Sequence, residues 1–199
     1  MSAPNKIVAP TAQPDTVYIT FSAEINAHTT ESLMATISGL VNKRVKKIYL
    51  ALSTPGGVVM HGLTLYNYLR AIPSELVIHN IGNVDSIGNA VFLAAEASNR
   101  LACAHSTFMF HGVGRTMPQG VRLEEKLLRE CINSIEVDQK RIGQILQERT
   151  QITPEQTEIL FLEAQTKDAT YAVGCGIVHQ ISDFKIPVGG PVISLVFQR

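Results

Sequence analysis

Ser86, within GNVDSIGNA at residues 82–90, stands at an abrupt change from an apolar strand pattern to an apolar helix pattern. The preceding LVIHNI is rich in branched residues and reads as a buried strand, while Ile87, Ala90, Val91, Leu93 and Ala94 read as a buried helix. A serine there could be a nucleophile. Unpaired N–H groups and the positive end of the helix dipole at a helix start favour an oxygen that becomes negatively charged during acyl transfer. Taken alone, the placement favours a plain N-cap, for which serine is among the commonest residues.

Two further segments bear on that choice. KIYLALS, a strand pattern, runs into TPGG at residues 54–57, and Val59, Leu63, Tyr66, Leu69 and Ile72 then recur at helical spacing. The glycines allow the backbone to approach a ligand closely, and Pro55 fixes the turn. Downstream, STFMFH ends in His111 followed by GVG. A histidine at a strand end beside glycines can project into a cleft, and a neutral imidazole is the usual base for a serine. Three strand ends thus offer a nucleophile, a base and a spare N–H.

The elements that must position these groups follow an alternating strand and helix pattern. VYITFSAEI opens the fold, a helix is expected near Thr30–Val41, and the units around TPGG, Ser86 and His111 come next, so the class is α/β with chemistry at the strand C-terminal ends. Residues 1–15 are Pro- and Ala-rich and expected to be flexible, leaving 16–199 as one domain with an extra apolar strand in its C-terminal tail, FKIPVGGPVISLVFQR. The 199 residues and 45% hydrophobic content suit a single sizeable core, and 17 basic residues balance 17 acidic ones. No basic run or wealth of aromatics invites nucleic acid, and no apolar stretch nears the length of a membrane span. The start of the chain lacks the regions of a signal peptide, which points to the cytoplasm. Cys103, Cys131 and Cys175 are scattered, predicting reduced and mostly buried thiols, and no metal or cofactor is expected.

The order strand-TPGG-helix, strand-GNVDSIG-helix, strand-MFHG and long amphipathic helix resembles the Clp protease proteolytic subunit, from about Val17 to Ile181. The 25 residues from Ser86 to His111, and the 29 from Gly57 to Ser86, match that family's spacings. The resemblance implies a crotonase-like (ClpP-type) fold of repeated strand-helix units with a long handle helix. It also implies a serine peptidase with Ser86 as nucleophile, His111 as general base, and the N–H groups of Gly57 and Ile87 as oxyanion hole. A peptide or unfolded protein would lie extended along the strand after His111, pairing near Gly112 and Val113.

The third triad member departs from the pattern. The family places an aspartate about twelve residues before the glycine that corresponds to Gly176, and Ala164 stands there. Glu163 is the better-placed candidate substitute, although a solvated position at a helix end is its simpler reading. Asp168 reads instead as the N-cap of DATYAVGCG, as Thr153 does for TPEQ.

The longest helix pattern, Val121–Arg149, puts Leu128, Ile132, Ile135, Ile142 and Ile145 on one stripe that must be buried, within its own subunit or against another. In the family this helix joins two sevenfold rings, so the resemblance implies a homo-oligomeric ring. It also implies a Clp-type ATPase partner, while the roughly sixteen residues before the first strand argue against dependence on one. Asp85 either faces the cleft, opposing oxyanion formation, or is a local hydrogen-bonding group. His61 and His79 read mainly as packed residues, and His28, His105 and His179 lack neighbours at metal spacing. Two alternatives share the fold: a ring subunit impaired by the missing aspartate, and an acyl-CoA enzyme of the crotonase type, for which Glu96 lies too far along its helix.

Overall fold

The computed structural model describes residues 14–197, so nearly all of the segment expected to be flexible lies outside the described residues. The first strand, β1 (Thr16–Ser22), alternates half-buried and buried side chains, and it pairs in parallel with β2 (Lys47–Thr54). Between them α1 (Ala27–Asn42) starts three residues earlier than the hydrophobic spacing implies. Its start is set by a reciprocal cap, in which Asn26 accepts from the Thr29 N–H and Thr29 Oγ accepts from the Asn26 N–H, each at 3.0 Å. Leu33, Ile37 and Leu40 of α1 and Leu63, Leu65 and Leu69 of α2 (Val59–Ala71) join Ile19, Ile48, Leu50 and Leu52 in one buried cluster.

The third strand, β3 (Glu75–Asp85), is the longest and divides the sheet. Its first half pairs with β4 (Arg100–Ala102) and its last three residues with β5 (Thr107–Met109), both in parallel. Against β2, its register slips between Leu52 and Thr54, and the buried Asn80 fills the irregularity by accepting from the Gly82 N–H and donating to the Thr107 carbonyl. The bulge re-aims the end of β3. The strand therefore stops beside β5, and the residues after Asp85 face the residues after Met109.

The remaining elements are α3 (Gly88–Phe92), α4 (Glu125–Arg149), α5 (Pro154–Glu163), β6 (Thr166–Asp168), α6 (Ala169–Gly174), β7 (Gln180–Ile181) and β8 (Val192–Leu195). The main path of the sheet runs β6-β5-β3-β2-β1-β8, with β4 branching from β3 and β7 pairing β4, and β6 is its antiparallel member. The C-terminal tail does not need a neighbouring subunit to pair. As β8 it lies parallel to the outer edge of its own β1, Tyr18 opposite Val192 through Phe21 opposite Leu195, covering main-chain groups that would otherwise be exposed.

Helix α4 begins four residues later than its apolar stripe suggests, and only its second half carries buried residues. Ile142, Ile145 and Leu146 are buried, whereas Leu128 and Ile132 stand exposed. Its last turn is pinned by Arg100, a fully buried side chain whose Nη1 donates to the Arg149, Gly176 and Ile177 carbonyls at 2.8–3.3 Å. No residue pattern marked that arginine beforehand.

Candidate active site

Ser86 follows the last residue of β3 with φ +55, a region that non-glycine residues enter rarely and at a cost of about 1–3 kcal/mol. Its N–H donates to the Met109 carbonyl at 2.8 Å, tying the turn to the end of β5. The plain N-cap reading does not hold, because Ile87 occupies the cap position of α3 and no side chain caps the helix. The serine hydroxyl is thereby left for other uses. Helix α3 spans only five residues, so its dipole adds less than a long helix would, and nearby N–H groups must carry any anion stabilisation.

TPGG supplies one such group. The Ile25 N–H donates to the Gly56 carbonyl at 2.7 Å and the Val58 N–H to the Ile25 carbonyl at 2.8 Å, a parallel bridge that skips the Gly57 N–H. Among the described residues neither the Gly57 N–H nor the Ile87 N–H has an acceptor. Both glycines adopt positive φ, +86 at Gly56 and +147 at Gly57. A methyl group on Gly56 would come within 2.7 Å of Ser86 Cβ, so the turn lies directly against the serine.

His111 lies two residues beyond β5. Its Nδ1 is 2.7 Å from the Gly112 carbonyl, which can only accept, so Nδ1 carries the hydrogen and a neutral ring keeps its lone pair on Nε2. That is the tautomer a base for serine needs. The group holding the far nitrogen is thus a backbone carbonyl. Thr107 pairs with Asp168 and Met109 with Thr166, and the Phe110 N–H donates to the Gln165 carbonyl, so Ala164 follows one residue beyond the last strand contact on the β6 side as His111 does on the β5 side. Glu163 is exposed and its carboxylate accepts from Gln165. Asp168 caps α6 by accepting from the Tyr171 N–H at 2.8 Å.

Ser86, His111, Gly57 and Ile87 line one cavity of about 310 Å³, floored by Val59, Ile142, Leu146 and Phe161, with Arg115 at its wall. No hydrogen bond joins Ser86 to His111, whose side chain bonds the Gly112 carbonyl. Beyond Phe110 no strand forms up to the start of α4, and the N–H groups expected to pair with substrate are already spent. Gly112 donates to the Phe161 carbonyl at 2.9 Å and Val113 to Gln139 Oε1 at 3.3 Å. Asp85 accepts from Asn83 Nδ2 at 2.6 Å and is absent from the cavity lining, so it is a local hydrogen-bonding group. Glu96 pairs with Arg70 and, at 3.3 Å, with Arg149, and it too stands outside the cavity.

His79 is a packed residue of β3. The Tyr49 hydroxyl donates to its Nδ1 at 2.8 Å, and its Nε2 donates to the Ser182 carbonyl at 3.1 Å. Burial lowers the imidazole pKa and pushes the Tyr49 phenol up to about 12, so both stay neutral near pH 7. Cys103, Cys131 and Cys175 are free and half-buried, more accessible than expected. Asn89 was missed by the sequence reading. Its buried amide bonds both the Ser86 and the Met109 carbonyls, and a polar residue among the apolar positions of the helix was the available signal.

The Clp protease family model matches residues 11–185. The chain is 30% identical over 119 residues to the ATP-dependent Clp protease proteolytic subunit 3 of Synechococcus sp. (strain CC9605), covering 56% of this chain and 60% of that protein. It is also 30% identical over 118 residues to the proteolytic subunit 2 of Prochlorococcus marinus (strain NATL2A), covering 55% and 59%. The aligned stretches thus span about three-fifths of those relatives' lengths. A ClpP1 mutant from Listeria monocytogenes has a similar fold, with a TM-score of 0.74 and 23% identity over 84% of this chain and 92% of that one. With three strand ends meeting at one cavity and a family model spanning nearly all of the sequence, the chain belongs to the Clp protease family.

Proposed function

We propose that this chain is a serine peptidase subunit acting on peptides or unfolded protein. The observation carrying the proposal is the convergence of Ser86, His111 and two unspent N–H groups on one cavity. Ser86 Oγ attacks the substrate carbonyl carbon while His111 Nε2 takes its proton, and the oxyanion is held by Gly57 and Ile87. His111 then protonates the leaving amine, and water releases the acyl group by the same route. The Gly112 carbonyl keeps the ring in the working tautomer but offers no full negative charge to the imidazolium. A second reading, a ring subunit with impaired chemistry, is favoured by that one feature and by Ala164. A fluorophosphonate probe should label the wild type and miss both Ser86→Ala and His111→Ala. Equal labelling of Ser86→Ala would remove the serine from the mechanism.

The same reading makes the chain part of a closed homo-oligomeric ring, of seven subunits and stacked in pairs through α4. The exposed Leu128 and Ile132 of α4 support it, since such a face needs an apolar partner and closed symmetry supplies one. Light scattering should then report a mass several times the 21.7 kDa of one chain, and a stable monomer would sink the ring. A Clp-type ATPase is the partner that the relatives' names suggest. Free thiols agree with a cytoplasmic setting, and among the described residues no helix is long and apolar enough to cross a membrane.

A further inference from the structure

We infer that Asn89 is a positioning residue, whose side-chain amide clamps the turn bearing Ser86 to the strand end bearing His111. The inference rests on the peptidase reading above. Asn89 lies on α3, is 2% exposed, and lines the cavity. Its Nδ2 donates to the Ser86 carbonyl at 3.0 Å and to the Met109 carbonyl at 2.8 Å. Met109 also accepts the Ser86 N–H at 2.8 Å, so its carbonyl is held from both sides of the turn, two residues before His111.

The amide orientation is fixed by its partners. Both hydrogens of Nδ2 face carbonyl oxygens, and the reversed amide would set Oδ1 against those same two oxygens. The price of the observed orientation is visible, because Oδ1 is buried without a partner among the described residues. An apolar residue on this otherwise apolar helix would avoid that loss. What the amide gains is a side-chain link, carried by α3 itself, between the turn at Ser86, which sits at positive φ, and the strand end before His111. Reacting groups misplaced by about 1 Å can lose roughly 100-fold in rate, so the link bears on turnover more than on substrate binding.

Full-length Asn89→Ala, Asn89→Asp and Asn89→Ser variants test this on an activated ester. Asn89→Asp keeps the volume but, ionised, presents no donor to either carbonyl. All three should lower kcat by about 100-fold while KM stays within about threefold of wild type. Amide exchange of Ser86 should accelerate by about tenfold or more, with the core amides of Leu50 and Ile78 unchanged. If Asn89→Ala does not fold, Asn89→Asp and Asn89→Ser still decide. A wild-type kcat in Asn89→Asp, or unchanged Ser86 exchange in the folded variants, overturns the inference. A wild type inert towards the ester and the fluorophosphonate would instead sink the peptidase reading, and Ser86 exchange would still report whether the clamp exists.

Discussion

Gly57→Ala is expected to lower ester and peptide turnover by about two to three orders of magnitude, the usual cost of losing one oxyanion donor. The methyl group would stand 2.2 Å from the Ile25 carbonyl oxygen and 2.9 Å from the Ile25 nitrogen, all of it backbone. Nothing there is a flexible side chain that could swing aside. At φ +147 the position also disfavours any side chain, so the peptide must rotate or the bridge to Ile25 must open. Either response moves the one N–H that the bridge leaves unspent. Gly39→Ala serves as control: it lies on α1 with no atom within 4 Å of the new methyl, and its kcat should match wild type. Steady-state kinetics on both variants, with thermal unfolding to confirm folding, settles the point. Wild-type kcat in a folded Gly57→Ala would exclude Gly57 as a donor.

The parts of this fold that obey local rules were readable from the residues. The apolar pattern of KIYLALS marked β2, a run of branched residues marked β3, and the TPEQ cap marked the start of α5, because each signal comes from neighbours within a few positions. The candidate site residues were legible for a related reason: turns that expose a serine or a histidine at a strand end carry their own glycines. What could not be read depended on distant partners. The tail became β8 because β1 had an open edge, and Arg100 became a buried pin because three carbonyls converge on it from segments about 50 and 76 residues away. The strand after His111 failed to form for the same kind of reason, since its N–H groups found acceptors on α5 and α4 first. Spacing alone could neither foresee that competition nor tell that His111 would take its orienting bond from its own neighbour.

That neighbour frames the last prediction, which concerns Ala164. The residue ends α5 in the left-handed region, φ 50 and ψ 51, where alanine is strained and where aspartate and asparagine fit better than most. Ala164→Asp therefore asks nothing new of the backbone. It would place a carboxylate at the step past the β5–β6 pairing that matches that of His111, competing with the Gly112 carbonyl for the Nδ1 hydrogen and winning because a charge-assisted bond is roughly twice as strong as a neutral one. The imidazolium formed during attack would then face a negative charge in place of a dipole. A triad carboxylate is worth about four orders of magnitude in turnover, so a graft of imperfect geometry should still raise peptide hydrolysis by about 100-fold. Glu163→Gln should change little, because that carboxylate is exposed and engaged with Gln165. Peptide hydrolysis by both variants distinguishes the cases. If Glu163→Gln abolishes activity while Ala164→Asp adds nothing, the glutamate orients His111 during turnover and α5 must turn by about one residue to bring it there.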